Sequence, residues 1–218
     1  MSKSIKTSDL FNVKTPYLIN LFSSYEYAYE IVKNIGDYIL KIIPTLTEFT
    51  QLKEGVYIGK NVKIYSGAII EPPAVIGHGT VLRVGAFIRG NVITGENCVI
   101  GNSSELKNCV LLNNVQVPHY NYVGDSVLGN NTHLGAGTVC SNLKLDGSNV
   151  ILRLDKEYYT NMRKLGAILG DNANVGSCSI LNPGTVLGKN SVAYSGLTLR
   201  GIYDSDVIIK PNEIIKKE

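Results

Sequence analysis

Two basic residues stand at a spacing that would create an anion-binding site. Arg89 and Lys107 lie eighteen residues apart, and each follows directly after an aliphatic residue. If the chain repeats every eighteen residues, both side chains point outward from neighbouring strands, about 4.8 Å apart. Stacked cations repel each other unless an anion is bound, and Glu105, on the strand of Lys107, neutralises only part of the charge. The spacing predicts an anion site, with a solvated stripe of charge as an equally weighted alternative.

The element that would position these cations is a six-residue repeat. Steps of six from Ile58 to Leu112 cover ten positions, and nine of them are large aliphatic residues. Small or β-branched residues stand two positions before them, and turn-forming residues stand three positions before nearly all of them. A short strand and a turn in every six residues explain this pattern, whereas a helical period or plain alternation does not. Three such rungs make one triangular coil, so the sequence predicts a parallel β-helix. The repeated positions are Ile58, Ile64, Ile70, Ile76, Leu82, Ile88, Thr94, Ile100, Leu106 and Leu112, then Leu128, Leu134 and Cys140, and then Leu169, Val175, Leu181, Leu187, Ala193 and Leu199.

The rhythm is interrupted first between Leu112 and Leu128, which lie sixteen residues apart, four more than two rungs need. We therefore expect a loop near residues 117–126 that leaves the coil and carries His119 and Tyr122. Insertions into repeat proteins gather on one face, which is commonly the binding face. The break therefore marks a candidate functional loop.

A second interruption separates Cys140 from Leu169, five residues more than four rungs need. Within it, the dipeptide Asp146-Gly147 between alternating residues predicts a hairpin turn. We expect a protruding arm at about residues 143–164.

The first fifty residues have a helical period. Thr15-Pro16 predicts a helix start, and apolar residues follow at spacings of three or four up to Ile42. We expect one or two amphipathic helices, jointed near Asn34 and ended by Pro44. Their polar face is not basic, so packing on the main body or on a partner chain is favoured over membrane attachment. Because stacked coils need a cap, these helices are candidates to close one end.

The predicted organisation has three parts. A helical segment covers residues 1–50, a β-helix with the two interruptions covers residues 51–203, and a C-terminal tail covers residues 204–218. We name no function for the tail.

The composition argues against several classes of function. Lys and Arg number 21 and Asp and Glu number 18, and the resulting charge of +3 is too small and too scattered for a nucleic-acid surface. The four cysteines lack CxxC spacing and the density of a disulfide scaffold, so no zinc is expected and a reduced cytoplasmic protein is the simplest interpretation. The start lacks the apolar region of a signal peptide, and no apolar run approaches about 18 residues. We expect a soluble protein without membrane attachment.

Two stretches carry a recognisable signature, IRGNVITGENCVIGNSSELKNCVLLNNVQVPHYNYVGDSVLGNNTHLGAGTVCSNLKLDG (88–147) and RKLGAILGDNANVGSCSILNPGTVLGKNSVAYSG (163–196). They resemble the acetyltransferase half of the bifunctional glucosamine-1-phosphate N-acetyltransferase and N-acetylglucosamine-1-phosphate uridylyltransferase family, in an archaeal-like variant. The resemblance covers about residues 54–200, and ELK…PHYNYVGDS…LGAGT…N is more specific than hexapeptide repeats alone. It implies a left-handed β-helix and a homotrimer with sites between neighbouring chains.

The resemblance also implies the roles of individual residues. The family's base corresponds to His119, which would take a proton from the amine that attacks a thioester, and Glu105 falls near that amine. The residues implied to bind the amino-sugar phosphate are Arg89, Lys107, Tyr122, Asn142, Lys164 and His133. The residues implied to bind the cosubstrate acetyl-CoA, partly through backbone donors that would steady an oxyanion, are Ala136, Ser177 and Ser195. No metal is expected for this reaction.

Two positions depart from the family pattern. His133 stands where the family usually has an asparagine, and Leu143 replaces a tyrosine of the common bacterial form. The resemblance therefore indicates the reaction type more strongly than the substrate. No nucleotidyltransferase signature precedes the helical segment, so we expect no uridylyl transfer by this chain, and a separate nucleotidyltransferase chain is a candidate partner.

Three alternatives stay open. One is an acyltransferase for another amino sugar, including a nucleotide-linked one, and another is a non-catalytic β-helix module that partners a nucleotidyltransferase. The third is a γ-class carbonic anhydrase, which holds zinc with three histidines on the same kind of β-helix. His78, His119 and His133 lie 41 and 14 residues apart and lack the close pair of that family, which counts against this alternative.

Overall fold

The structure, a computed structural model, describes residues 3–217. The helices are α1 (Thr7–Leu10), α2 (Pro16–Ser23), α3 (Ala28–Lys33) and α4 (Ile35–Ile42), and a 3-10 turn follows at Ile43–Thr45. The strands are β1 (Thr50–Lys53), β2 (Val56–Ile58), β3 (Lys63–Ile64), β4 (Ile69–Glu71), β5 (Ala74–Ile76), β6 (Val81–Leu82), β7 (Phe87–Arg89), β8 (Val92–Thr94), β9 (Val99–Asn102), β10 (Glu105–Leu111), β11 (Gln116–His119), β12 (Tyr122–Leu128), β13 (His133–Leu134), β14 (Val139–Cys140), β15 (Ile151–Arg153), β16 (Glu157–Tyr159), β17 (Ala167–Leu169), β18 (Asn174–Val175), β19 (Ile180–Leu181), β20 (Thr185–Leu187), β21 (Val192–Ala193), β22 (Thr198–Leu199), β23 (Ile202–Tyr203), β24 (Val207–Ile209) and β25 (Ile214–Lys216).

Stacked coils give the body three flat faces of parallel strands. Face A consists of β2, β5, β8, the second halves of β10 and β12, β17, β20 and β23. Face B consists of β3, β6, β9, β11, β13, β18, β21 and β24. Face C consists of β4, β7, the first halves of β10 and β12, β14, β19 and β22. The parallel β-helix predicted from the six-residue period is confirmed.

Aliphatic columns fill the inside of the coil. On face B, Leu82, Ile100, Val117, Leu134 and Val175 occupy successive coils, and each is at most 1% exposed. Full burial of one such side chain contributes about 1.5–3 kcal/mol. These columns fix the register of every strand, so the residues between them are held facing outward.

The loop predicted near residues 117–126 is wrong, because the chain stays in the coil there. Leu111 rather than Leu112 takes the inward position of its strand, which shortens that rung to five residues. β11 and β12 run through the segment, and equivalent positions on these coils lie seventeen residues apart. His119 and Tyr122 are therefore strand residues.

The helical segment lies along face A and does not close an end of the coil, so the predicted end cap is wrong. The outward residues of face A are apolar and buried beneath the helices and the arm: Val75, Ile93, Val110, Val127, Ile168, Val186 and Ile202. The helices contribute Leu18, Leu21, Ile31, Ile35 and Ile39 to the same cluster. The joint expected near Asn34 separates α3 from α4, and a further break separates α2 from α3.

Antiparallel strands cover both ends of the coil. β1 pairs with β2, and β25 pairs with β24. Val207 and Ile209 of β24 are buried in the core, so the tail predicted for residues 204–218 is wrong in its first part, which continues face B. Within residues 3–217, no helix is long and apolar enough to cross a membrane.

The arm at residues 143–164 folds back on the protein. Its hairpin pairs β15 with β16, which places the hairpin turn at residues 154–156. The predicted Asp146-Gly147 lies in a separate turn, in which the Gly147 N–H donates to the Lys144 carbonyl over 3.0 Å, and it does not close the hairpin. The ring of Tyr158 lies 5.3 Å from that of Tyr27, which immediately precedes α3. The arm is therefore held against the helical segment and does not protrude as predicted.

Side chains form a hydrogen-bonded ladder at the corner between faces A and B. Each Nδ2 donates to a side-chain oxygen one coil further on, over 2.8–2.9 Å. The members of this asparagine ladder are Asn114, Asn131, Asn172, Asn190 and the terminal acceptor Asp206. All have φ between 57° and 61°, a left-handed conformation that Asn and Asp tolerate better than most residues.

Candidate active site

Four predicted site residues form one row at the corner between faces B and C. Each is followed by a residue with positive φ, whose N–H donates to a carbonyl one coil back over 2.8–3.0 Å. This corner row consists of His119, Ala136, Ser177 and Ser195. Because neighbouring coils are about 4.8 Å apart, the row is roughly 14 Å long, with His119 at one end.

A buried asparagine fixes the backbone of His119. The His119 N–H donates to Oδ1 of Asn121 over 3.0 Å, and Nδ2 of Asn121 donates to the Gly135 carbonyl over 2.8 Å. Asn121 is 2% exposed, whereas His119 is exposed. The imidazole is therefore presented to solvent from a fixed backbone, and an imidazole can accept a proton near neutral pH.

A groove of about 470 Å³ opens on face B beside the corner row. Ser177, Ser195, Tyr194 and His133 line it. His133 is half-buried, and desolvation lowers the pKa of His133, with electrostatic repulsion from the nearby His119 imidazole as the smaller cause. The structure thus places His133 with the residues predicted to bind acetyl-CoA and not with the predicted sugar-phosphate residues on face C.

On face C, Arg89 forms an ion pair with Glu105. The Nη1 atom lies 2.6 Å from Oε1, and the side chains are 43% and 33% exposed. The hydrogen bond from Arg89 to Glu105 and the charge of that carboxylate raise the pKa of Arg89. Exposed pairs of this kind contribute little to stability, so Arg89 stays available to another anion.

A buried carboxylate holds Lys107. The Lys107 ammonium lies 3.3 Å from Oδ2 of Asp125, which is 4% exposed, and Nδ2 of Asn108 donates to Oδ1 over 2.8 Å. The stacked cations Arg89 and Lys107 are thus paired with Glu105 and Asp125 within the chain. Their repulsion alone therefore does not require a bound anion.

Tyr122 and Asn142 form a pair beside this carboxylate. Nδ2 of Asn142 donates to the Tyr122 hydroxyl oxygen over 3.1 Å and also to Oδ2 of Asp125. Partial burial raises the pKa of Tyr122, with the Asn142 hydrogen bond opposing and the Asp125 charge adding to the shift. Tyr122 therefore keeps its proton at neutral pH and can donate it.

The base of the arm brings Lys164 next to this pair. Lys164 and Leu143 form an antiparallel bridge, and the Leu165 N–H donates to the Asn142 carbonyl over 2.9 Å. The Lys164 side chain is exposed. The predicted residues on or beside face C are Arg89, Glu105, Lys107, Tyr122, Asn142 and Lys164.

Sequence reasoning missed Asp125. A signal was available, because Asp125 lies eighteen residues after Lys107 and the coil period places such residues on neighbouring coils. The remaining histidine, His78, stands apart, since its Nδ1 accepts the Lys60 N–H over 2.7 Å and its ring packs on Phe49. Among residues 3–217, no three His, Cys, Asp or Glu side chains come together to hold a metal ion.

A second cavity, of about 610 Å³, lies between the arm and the corner of faces A and C. Leu145, Arg153, Pro183 and Arg200 are among its lining residues. None of the predicted site residues lines it, so it is separate from the candidate site.

The stacked coils of six-residue rungs define a hexapeptide-repeat protein with a left-handed parallel β-helix. The solved structure of UDP-N-acetylglucosamine acyltransferase from Campylobacter jejuni has this fold, with a TM-score of 0.51, 16% identity, and coverage of 74% of this chain and 69% of that chain. The left-handed form expected from the resemblance is confirmed.

The chain belongs to the family described as the GMPPB C-terminal domain, whose sequence profile matches residues 72–195. It is similar to the bifunctional protein GlmU of Methanococcus aeolicus, with 35% identity over 173 residues, 73% of this chain and 42% of that protein. It is also similar to the bifunctional protein GlmU of Methanococcus maripaludis, with 30% identity over 222 residues, 99% of this chain and 53% of that protein. The resemblance to archaeal bifunctional proteins is thus confirmed, and the chain spans about half the length of the second relative.

Proposed function

We propose that the chain is an acetyl-CoA-dependent N-acetyltransferase that acts on an amino-sugar 1-phosphate, with glucosamine-1-phosphate as the first candidate. The observation that carries this proposal is the location of His119. It ends the corner row whose other members, Ala136, Ser177 and Ser195, are the proposed acetyl-CoA contacts. It also borders face C, where the proposed phosphate-binding cations lie. One imidazole therefore adjoins both proposed substrate sites.

The cations on face C have hydrogen-bonding capacity left for a phosphate. A guanidinium has five N–H donors and an ammonium has three, and the pairing of Arg89 with Glu105 and of Lys107 with Asp125 uses only some of them. Lys164 adds a third positive charge from the base of the arm. These charges support the binding of a dianionic sugar phosphate in preference to a neutral sugar.

In the proposed reaction, the nitrogen of the sugar amine attacks the thioester carbonyl carbon, and the amine gives one proton to His119. The C–N bond forms, the C–S bond breaks, and coenzyme A leaves as the thiol after it takes up the proton. Glu105 and Asn142 accept hydrogen bonds from the amine and orient it. Within residues 3–217, the backbone N–H groups of Ala136 and Ser177 donate to no protein acceptor and are available to a developing oxyanion.

We also propose that the chain works as a homotrimer. The helices cover face A, whereas faces B and C present exposed apolar side chains. Tyr65, Val84 and Tyr194 on or beside face B are 52%, 55% and 47% exposed, and Ile69 and Ile180 on face C are 56% and 42% exposed. Burial of these residues between copies would place the corner row next to a neighbouring chain. Light scattering at micromolar concentration measures the assembly, and a monomer would contradict it.

The proposed location is the cytoplasm. Cys98, Cys109 and Cys140 are buried and unpaired, and Cys178 is exposed and unpaired. Free thiols of this kind fit a reducing compartment. A nucleotidyltransferase chain is the proposed partner for the next step, because one similar protein, from Sulfurisphaera tokodaii, is described as a bifunctional sugar-1-phosphate nucleotidylyltransferase/acetyltransferase.

The experiment that tests the function is thiol release from acetyl-CoA. The acceptors are glucosamine-1-phosphate, a UDP-linked amino sugar and free glucosamine, each at equal concentration with mass analysis of the product. We expect the highest kcat/KM with glucosamine-1-phosphate. A preference for the UDP-linked sugar would favour the nucleotide-sugar alternative, and no release with any acceptor would favour the non-catalytic module.

A further inference from the structure

Asp125, at the corner where β12 passes from face C to face A, carries the most deeply buried charge of the candidate site. It is 4% exposed, and a buried charge is costly unless it is paired and hydrogen-bonded. Three side chains satisfy it: Lys107 at 3.3 and 3.4 Å, Asn108 at 2.8 Å, and Asn142. Two of these partners, Lys107 and Asn142, are proposed substrate contacts. Asp125 therefore contacts two residues of the candidate site from the side away from the substrate.

The chemistry of these contacts fixes the orientation of Asn142. An ionised carboxylate only accepts hydrogen bonds, so the NH₂ end of the Asn142 amide must face Asp125. The same NH₂ group donates to the Tyr122 hydroxyl oxygen over 3.1 Å. The carbonyl oxygen of Asn142 is therefore turned away from the carboxylate, and the Tyr122 hydroxyl is left to donate its own proton.

These orientations are the ones that an amino-sugar phosphate needs. An amine offers N–H donors and requires an acceptor, which Asn142 Oδ1 supplies. A phosphate offers only acceptors and requires donors, which the Tyr122 hydroxyl and the Lys107 ammonium supply. Asn108 anchors the arrangement, because its Nδ2 also donates to the Val32 carbonyl of α3 over 3.3 Å.

We propose that Asp125 is a positioning residue for the amino-sugar phosphate, which it does not itself touch. It holds Lys107 in place, presents Asn142 as an acceptor to the amine, and leaves Tyr122 as a donor to the phosphate. The inference rests on the proposed N-acetyltransferase function and adds a residue to it.

The test is Asp125→Asn, which keeps the size of the side chain and replaces one acceptor oxygen with a donor. At least one of Lys107, Asn108 and Asn142 then loses its acceptor, and the Asn142 amide is free to turn over. We expect kcat/KM for glucosamine-1-phosphate to fall about 10- to 100-fold, the range for loss of a charge-assisted hydrogen bond, mainly through a higher KM. The KM for acetyl-CoA should change less than about twofold, since the corner row is intact.

Asp171 offers a matched control. It is 7% exposed and accepts from the Asn12 N–H at 2.8 Å and from both the N–H and Nδ2 of Asn130 at 2.8 and 3.0 Å. Asp171→Asn makes the same chemical change at a buried carboxylate outside the candidate site. We expect it to lower the melting temperature and leave the KM for the sugar phosphate unchanged.

A double variant separates positioning from general damage. If Asp125 acts through Asn142, Asp125→Asn should lower kcat/KM less in an Asn142→Ala background than in the parent. If Asp125→Asn lowers kcat/KM equally in both backgrounds, Asp125 does not act through Asn142, and the proposal is overturned. Should Asp125→Asn not fold, Asn142→Asp tests the same contact by placing a second carboxylate against Asp125, and an unchanged sugar-phosphate KM there would also overturn it.

The outcomes distinguish this inference from the proposed function. A parent protein that acetylates no amino-sugar phosphate contradicts the function and the inference together. An active parent with a folded Asp125→Asn variant of unchanged sugar-phosphate KM overturns the role of Asp125 alone. A selective rise of that KM, absent from Asp171→Asn, supports it.

Discussion

Replacing Asn131 with alanine should destabilise the coil by about 2–4 kcal/mol. Asn131 lies in the middle of the asparagine ladder, where its amide accepts from Asn114 and donates to Asn172, each over 2.9 Å. The two hydrogen bonds are exposed and contribute about 0.5–1 kcal/mol each. The backbone φ of 57° adds about 1–2 kcal/mol for alanine, because its Cβ is crowded in the left-handed region.

Glycine at the same position gives the sharper comparison. Asn131→Gly also loses both hydrogen bonds, but it avoids the crowding and instead adds about 0.5–1 kcal/mol of chain entropy on unfolding. The alanine variant should therefore be the less stable of the two by roughly 0.5–1 kcal/mol, the reverse of the usual order inside helices and strands. Urea unfolding at constant protein concentration measures both variants. A glycine variant less stable than the alanine variant would refute this account of the corner.

Two further predictions concern the candidate site. Lys107→Ala should raise the KM for glucosamine-1-phosphate about tenfold, because it deletes one of the proposed phosphate-binding cations. Lys60→Ala removes an exposed lysine paired with Glu48 and should leave this KM unchanged. Steady-state kinetics measure both variants, and a KM for Lys107→Ala equal to that of the parent would remove Lys107 from the proposed phosphate site. His133→Gln should make the free energy of unfolding less sensitive to acid. The pKa of His133 is lowered in the folded state, so the stability that neutral His133 contributes is fully present above its unfolded-state pKa of about 6.5. That stability is lost as the pH falls below about 6.5. Urea midpoints between about pH 7.5 and pH 5.5 measure this effect, and parallel curves for parent and variant would contradict it.

The coil could be predicted from the sequence, and its exact path around His119 could not. The six-residue period defines the rungs because every inward position must be small or aliphatic to fit inside the coil. Leu111 and Leu112 are both leucine, so the pattern cannot tell which of them faces inward. That one-residue choice decides whether residues 117–126 are a loop or two strands.

The position of the helices was predictable in principle. The outward residues of face A recur once per coil as Val75, Ile93, Val110 and Val127, and such a column needs a cover. The hairpin turn of the arm was missed because its pairing depends on β15 and β16 packing near the helices, which local turn residues do not reveal.

The candidate site was predicted in its parts and not in its arrangement. The residue types of Arg89, Lys107 and Glu105 indicated an anion site, but the ion pairs that they make depend on diagonal neighbours across strands. The placement of His133 in the groove of face B follows from the shortened coils, which the period did not show.

The central claim is that His119 takes the proton from the attacking amine, and kcat of His119→Ala for acetyl transfer to glucosamine-1-phosphate tests it most directly. We expect kcat to fall by about 100-fold or more, as for loss of a general base. The melting temperature should stay close to that of the parent, because the exposed imidazole contributes little to the core. A folded variant that acetylates glucosamine-1-phosphate at the parent rate would contradict the claim.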